Sequence, residues 1–269
     1  MVVSTMLGAG AIYLFGDNMP RVKKSVPFKM PTHLHEQAAA RAKTTADLVA
    51  RDSKVSELSD DSTQSEINSG SILYPFQKSK DYVNISSWPG VQINLKYSTT
   101  DNFLKKDLYG DFNEAWLHID AGVKLKKAIK ILQQKCNQCQ FVIFDAIRPR
   151  TIQKEMWDYV VSIKKTLYVA NPTKGSVHNF GMAIDLSILD AKGKELDMGT
   201  PYDSFKPLAQ PKYENEFLKK GELTQTQVNH RLQLRSVMEG AGFYHIYSEW
   251  WHFNALPGKW VRENYSIVE

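Results

Sequence analysis

Apolar residues recur every three or four positions in three stretches of the chain, which is the spacing of an amphipathic helix. The first stretch predicts a helix over about Ala121–Lys135. The other two predict helices whose apolar faces are formed by Ile152, Met156, Tyr159 and Ile163, and by Leu234, Val237, Met238 and Ala241. Gly242 follows the last stretch and suits the left-handed backbone that commonly ends a helix.

Two further stretches have the pattern of β-strands. The apolar run over residues 141–146 predicts a buried strand, and Ala183–Leu189 alternates as a second strand does. Residues 190–193 are predicted to turn the chain back, and the aromatic-rich residues 243–253 are expected to be extended. Helices that come first and strands that cluster later predict an α+β fold, with an antiparallel sheet flanked by helices.

The N-terminal part of the chain differs in composition from the rest. Residues 1–16 carry no charge, and Asp17 and three basic residues follow them. That run is shorter than the roughly 20 residues of a membrane-spanning helix. Residues 1–24 are therefore predicted to be an apolar leader, either a signal or membrane anchor, or a buried or disordered segment. Any membrane association would take place through residues 1–16.

Residues 25–73 are predicted to be a low-complexity, flexible linker. Within them, residues 33–72 contain no aromatic side chain, so this stretch cannot bury much apolar surface. Aromatic residues return from about Tyr74, which places the folded domain over residues 74–269. The leader favours a location in the bacterial cell envelope or periplasm, and the cytoplasm is the alternative.

Composition and charge exclude several classes of protein. The 269 residues are 42% hydrophobic and 23% charged, which excludes collagen, a coiled coil, a polytopic membrane protein and wholesale disorder. A net charge of +5 is mild and predicts no nucleic-acid partner. Cys136 and Cys139 are either free thiols in the cytosol or a small disulfide in an oxidising envelope. The oligomeric state is not predicted.

Two clusters carry candidate metal ligands. In the first, His178 precedes the bend that Gly181 permits, and Asp185 follows among apolar neighbours where a carboxylate needs compensation. In the second, Glu249 and His252 flank two tryptophans, and they share a site only if the chain bends between them. Taken alone, His178 is better explained as a surface or core histidine. The alternative for the second cluster is that its tryptophans belong to the core and its polar pair is incidental. Together, two histidines and one aspartate with an open fourth position form a catalytic zinc pattern, and Glu249 is a spare general base.

A third motif places an arginine beside a proline. Arg148 follows the predicted strand over residues 141–146 and precedes Pro149, so its backbone position is well fixed. A fixed guanidinium suits the stabilisation of a developing oxyanion. The alternative is a structural salt bridge with Asp145.

These motifs resemble the M15 family of zinc peptidases, and within it the D-alanyl-D-alanine dipeptidases. The Ser-x-His-x-x-Gly-x-Ala-x-Asp pattern is complete over residues 176–185, and Glu-Trp-Trp-His stands at residues 249–252. Asp-Ala-Ile-Arg-Pro at residues 145–149 is similar to the family's Asp-x-Tyr-Arg-Pro, with Ile147 in place of the aromatic residue. The resemblance covers residues 82–253 and implies a Hedgehog/DD-peptidase type of fold.

The resemblance also implies a role for each matching residue. His178, Asp185 and His252 correspond to the ligands of one Zn²⁺ per chain. Glu249 corresponds to the base that activates water, and Arg148 to the group that stabilises the tetrahedral intermediate. Three substrate-binding positions are implied as well: Asp203 for the substrate ammonium, Ser176 near the substrate's amino end, and Tyr97 in the cleft. Residues 197–203 are similar to a Met-Gly-x-x-Phe-Asp stretch whose final aspartate is Asp203.

The sequence therefore predicts zinc-dependent hydrolysis of a small dipeptide, D-alanyl-D-alanine, to two D-alanines. One alternative is a peptidoglycan D,D- or L,D-carboxypeptidase or endopeptidase that uses the same ligands. The other is a catalytically inert zinc-binding module of the cell wall. Glycopeptide resistance, wall recycling and the use of D-alanine all need the same reaction, so the biological purpose is left open.

Overall fold

The structure is a computed structural model that describes residues 75–269. The predicted leader over residues 1–24 and the predicted linker over residues 25–73 lie outside the described residues. Among the residues that are described, we find no helix with the length and hydropathy of a membrane span.

Residues 75–269 contain seven β-strands and five α-helices. The strands are β1 (Tyr82–Asn84), β2 (Val91–Ile93), β3 (Trp116–His118), β4 (Gln140–Asp145), β5 (Ala183–Leu189), β6 (Tyr244–His245) and β7 (His252–Asn254). The helices are α1 (Ile119–Lys135), α2 (Arg150–Ser162), α3 (Glu214–Lys220), α4 (Gln225–Ala241) and α5 (Gly258–Asn264).

Five of the strands form one sheet in the order β2-β4-β5-β7-β6, and β1 pairs with β3 separately. The prediction of an antiparallel sheet is correct for every pair of this sheet except β2 and β4, which run parallel. The connection between those two strands passes through α1, and a helical crossover is what parallel neighbours require. The fold is therefore mixed α and β, with helices packed around the sheet.

Helices α1 and α4 form the main helical pair beside the sheet. The predicted helix over 121–135 is confirmed, and its buried face includes Ala121, Leu125 and Leu132. Helix α4 ends at Gly242, whose φ of 96° is the left-handed conformation that was predicted. Its start lies well before the predicted apolar face, at a capping box formed by Thr224 and Gln227.

Two expectations are only partly correct. Helix α2 forms, but Tyr159 and Ile163 are exposed and Val160 is buried with Ile152 and Met156, so the buried face is rotated from the predicted one. The stretch over residues 243–253 is not one extended segment, because bends separate β6 from β7. The predicted turn after β5 is confirmed, since the backbone N–H of Asp190 donates to the Lys194 carbonyl at 2.8 Å.

A fully buried guanidinium holds an irregular segment of the chain, residues 198–208, against α4. Arg231 Nε donates to the Met198 carbonyl at 2.7 Å, and Nη1 donates to the Leu208 carbonyl at 3.1 Å. Glu214 Oε1 lies 3.4 Å from Arg231 Nη1, and the same carboxylate also pairs with Arg235 at 2.6 Å. Arg231 therefore ties both ends of the 198–208 segment, which contains Tyr202 and Asp203.

Cys136 and Cys139 form a disulfide where α1 ends and β4 begins. Of the two states that the sequence allowed, the structure therefore contains the small disulfide.

We predict that Arg231→Met lowers the free energy of unfolding by about 3–5 kcal/mol, because it breaks a buried ion pair and leaves the Met198 and Leu208 carbonyls without their donor. Urea denaturation followed by circular dichroism measures this change. Lys220→Met is the control, since Lys220 pairs with Glu216 on an exposed helix face and its loss should change stability by less than about 1 kcal/mol. Equal stability of the two variants would contradict the structural role of Arg231.

Candidate active site

Backbone geometry brings the three predicted metal ligands together. Asp185 on β5 and His252 on β7 are direct partners in the antiparallel register, so their side chains lie side by side. His178 lies on a short 3₁₀ helix, Val177–Phe180, that leads into β5. Gly181 makes the bend between them with a φ of 65°, and a Cβ there would lie 2.7 Å from the His118 backbone nitrogen.

The three ligand atoms form a nearly equilateral triangle. His178 Nε2 lies 3.2 Å from Asp185 Oδ1 and 3.1 Å from His252 Nδ1, and the third side is 2.9 Å. A tetrahedral ion with bonds of about 2.0–2.1 Å to nitrogen and oxygen has ligand atoms about 3.3 Å apart. The triangle therefore has the size that such an ion requires.

The outer hydrogen bonds of the two imidazoles point their lone pairs into this triangle. His178 Nδ1 donates to the Ala146 carbonyl at 2.7 Å, which leaves Nε2 as the acceptor nitrogen. His252 Nε2 donates to Asn254 Oδ1 at 2.9 Å, which leaves Nδ1 unprotonated in the neutral ring. Two lone pairs and a carboxylate oxygen then face one another, and a cation is what makes such an arrangement favourable.

The electrostatics of the cluster favour positive charge. Burial alone would lower the pKa of His252, but its contacts with Asp185 raise that pKa to about 9. Burial likewise opposes ionisation of Asp185, yet His178 and His252 hold the pKa of this carboxyl well below its usual range. Both shifts show that the pocket stabilises a positive charge next to the Asp185 carboxylate.

Glu249 lies close to the ligand triangle because the chain bends at the two tryptophans between Glu249 and His252, as the sequence analysis required. Residues 250 and 251 are bends rather than strand, and Glu249 Oε2 lies 4.0 Å from His252 Nδ1. Trp250 Nε1 donates to Thr200 Oγ1 at 2.9 Å and anchors the bend. Burial raises the pKa of Glu249 to about 7, which suits a group that takes up and releases a proton near neutral pH.

Arg148 is buried beside the cluster and forms the salt bridge with Asp145 that was considered from the sequence. Its Nε donates to Asp145 Oδ2 at 2.8 Å, Nη2 contacts the same oxygen, and Nη1 donates to Gln153 Oε1 at 2.9 Å. Nη2 also lies 3.8 Å from Asp185 Oδ2. Arg148 therefore forms this salt bridge and still lies next to the ligand triangle, because Asp145 and Gln153 hold its guanidinium toward the predicted metal ligands.

Asp203 and Tyr97 form a second acidic position in the same cleft. The Tyr97 hydroxyl donates to Asp203 Oδ2 at 2.9 Å, and Asp203 has a left-handed φ of 57°. Burial raises the pKa of Asp203 well above its usual range, so this carboxyl gains from a cationic partner. Ser176 caps the 3₁₀ helix, where its hydroxyl accepts from the His178 backbone N–H.

All eight predicted site residues line one cleft of about 280 Å³: Tyr97, Arg148, Ser176, His178, Asp185, Asp203, Glu249 and His252. Sequence reasoning missed Gln153 and Tyr202, which contact Arg148 and Asp185 respectively. Gln153 follows the Arg-Pro motif by one helical turn and could have been suspected. The contact of Tyr202 depends on the path of the irregular 198–208 segment.

The sequence model of the M15 peptidases described as D-ala-D-ala dipeptidase matches residues 78–269. The chain belongs to this peptidase family. This M15 peptidase is 36% identical to the D-alanyl-D-alanine dipeptidase of Escherichia coli strain K12 over 170 residues, which cover 63% of the chain and 81% of that relative. It is 26% identical to the Enterococcus faecium protein of the same name over 184 residues, or 61% and 85% of the two chains.

A third D-alanyl-D-alanine dipeptidase, from Synechocystis, is 28% identical over 153 residues, which cover 45% of this chain and 62% of the relative. The family membership confirms the resemblance seen in the motifs and makes the protein a metallopeptidase.

We predict that zinc raises the melting temperature of the metal-free peptidase, because an ion that binds only the folded state stabilises it. His178→Ala should abolish this shift in differential scanning fluorimetry. His245→Ala is the matched control, since His245 pairs with Glu239 outside the ligand triangle, and it should keep the shift. A full zinc response in His178→Ala would contradict the assignment of this ligand.

Proposed function

We propose that this M15 peptidase hydrolyses the D-alanyl-D-alanine dipeptide to two D-alanines with one Zn²⁺ held by His178, Asp185 and His252. The observation that carries the proposal is the triangle of converging acceptor atoms within a small cleft. A zinc ion bound there would lower the pKa of a coordinated water and polarise the scissile carbonyl.

Glu249 is the general base of the proposed reaction. Its carboxylate Oε2 lies 4.0 Å from His252 Nδ1, so Glu249 would be next to a water that the metal binds. Burial in the cleft raises the pKa of Glu249, and the proposed role is to accept the proton of the attacking water and then deliver it to the leaving amine. The same side chain therefore acts as base and then as acid.

Arg148 is the proposed oxyanion-stabilising group. Its guanidinium is buried, and Asp145 and Gln153 fix its orientation before substrate arrives. A charge that is already oriented stabilises the negative oxygen of a tetrahedral intermediate without reorganisation.

Asp203 is proposed to select substrates with a free amino terminus. Its buried carboxyl is stabilised by a cation, and the ammonium of a dipeptide supplies one. Tyr97 orients the carboxylate through its hydroxyl, and Ser176 lies in the same cleft. An acylated or longer peptide has no ammonium at this position, so it would leave Asp203 without its partner.

Carboxypeptidase or endopeptidase activity on peptidoglycan is the second candidate, because the same metal centre would serve it. An inert zinc-binding module is disfavoured, since it would have no use for Glu249 and Arg148 in the cleft. Assays of D-alanyl-D-alanine and of a pentapeptide that ends in D-alanyl-D-alanine separate these functions. We expect release of D-alanine from the dipeptide alone, its loss with a chelator and its return with zinc. Cleavage of the pentapeptide alone would overturn the dipeptidase proposal.

We also propose that the protein works in the bacterial cell envelope or periplasm. The support is the disulfide between Cys136 and Cys139, since such bonds persist in oxidising compartments. Fractionation of cells that express the full chain, with thiol titration of the denatured and unreduced protein, tests this location. A cytoplasmic protein with two free thiols would overturn it.

We predict that Glu249→Ala keeps zinc bound but lowers kcat by at least about 100-fold, because no other side chain replaces the base. Metal analysis and steady-state kinetics on D-alanyl-D-alanine measure the two effects separately. Glu263→Ala, on the exposed face of α5, is the control and should retain wild-type kcat. Unchanged kcat in Glu249→Ala would refute its role as base.

Asp203→Ala should raise KM for D-alanyl-D-alanine by about tenfold or more, since it removes a charge-assisted contact with the ammonium. Its zinc content should equal that of the wild type. Asp190→Ala, in the exposed turn after β5, serves as the control for loss of an aspartate. An unchanged KM would place the ammonium elsewhere in the cleft.

A further inference from the structure

We propose that Tyr202 is a positioning residue for Asp185 and thereby sets the affinity of the centre for zinc. The inference rests on the proposed function, because it assumes that Asp185 is a metal ligand. It adds a residue that lies outside the ligand triangle and is separated from Asp185 by 17 positions in the sequence.

The two oxygens of Asp185 have different surroundings. Oδ1 faces the ring nitrogens of His178 and His252 at 3.2 and 2.9 Å. Oδ2 points away from them and accepts a hydrogen bond from the Tyr202 hydroxyl at 3.0 Å. The nearest Arg148 nitrogen, Nη2, is 3.8 Å from Oδ2, beyond hydrogen-bond distance. Within residues 75–269, Tyr202 is therefore the side chain that hydrogen-bonds the oxygen that is not a ligand.

The neighbouring tyrosine does not compete for this role. The Tyr97 hydroxyl has one hydrogen and donates it to Asp203 at 2.9 Å. The Tyr202 hydroxyl lies 3.4 Å from the Tyr97 oxygen but has the shorter contact with Asp185. Asp203 and Asp185 thus each accept one tyrosine hydroxyl.

The ring of Tyr202 is fixed by packing, so the hydroxyl has a defined position. Its centroid lies 5.0 Å from that of Phe144 and 5.2 Å from that of Trp251. The backbone on either side belongs to the 198–208 segment that Arg231 holds at both ends. Replacing Tyr202 by phenylalanine would keep these ring contacts and remove only the hydroxyl.

A carboxylate that coordinates through one oxygen needs its other oxygen held, or it rotates between one-oxygen and two-oxygen binding. The Tyr202 hydrogen bond fixes Oδ2 and so directs Oδ1 at the histidine nitrogens. Loss of such an outer partner commonly weakens metal binding by about 10–100-fold.

The test is the zinc dissociation constant of the full chain, measured by competition with a chromophoric chelator in the absence of substrate. We expect Tyr202→Phe to bind zinc about 10-fold or more weakly than the wild type, with an unchanged circular dichroism spectrum. Tyr168→Phe is the matched control, because this cleft tyrosine contacts Gln210 and no ligand, and its affinity should be unchanged. Tyr97→Phe should also keep wild-type zinc affinity.

Wild-type zinc affinity in Tyr202→Phe would overturn the inference, and so would an equal loss in Tyr202→Phe and Tyr168→Phe. Asp185→Asn separates this failure from failure of the proposed metal centre. If Asp185→Asn loses zinc while Tyr202→Phe does not, the centre stands and only the role of Tyr202 is wrong. If Asp185→Asn binds zinc as tightly as the wild type, the metal centre itself is wrong.

Discussion

Three side-chain atoms that can bind a metal, held within 3.2 Å of one another in a buried place, are the constraint on which the site depends. Outer hydrogen bonds to Ala146 and Asn254 turn the imidazole lone pairs inward, so the rings are oriented before any ion arrives. Strand pairing places Asp185 beside His252, and the pocket stabilises a positive charge next to the Asp185 carboxylate. The remaining residues of the cleft are arranged around that charge.

The fold supplies this constraint through ordinary elements. Strand register places Asp185 and His252 side by side, and a short 3₁₀ helix adds His178. A bend at residues 250–251 brings Glu249 into the same cleft. Arg231 lies outside the cleft but fixes the backbone of the 198–208 segment, which carries Tyr202 and Asp203. Under the proposed function, one irregular stretch of chain therefore connects substrate recognition with metal coordination.

Much of this could be predicted from residues close together in sequence. Strand β5 and the glycine that ends α4 have strong local signals, and the ligand motifs lie in short continuous stretches. Local patterns could not reveal the parallel pairing of β2, since a three-residue strand has too few positions to show a period. They also misplaced Tyr159 and Ile163, because burial on α2 is decided by the elements packed against it. The hydrogen bond between Tyr202 and Asp185 was not predicted for the same reason, because it depends on tertiary structure.

The most direct test of the account is a crystal structure of the zinc-loaded protein with anomalous data on either side of the zinc absorption edge. The account predicts one peak, bonded to His178 Nε2, Asp185 Oδ1 and His252 Nδ1 at about 2.0–2.2 Å, with a fourth position open to solvent. A peak elsewhere, or a triangle without density after zinc loading, would contradict the central claim.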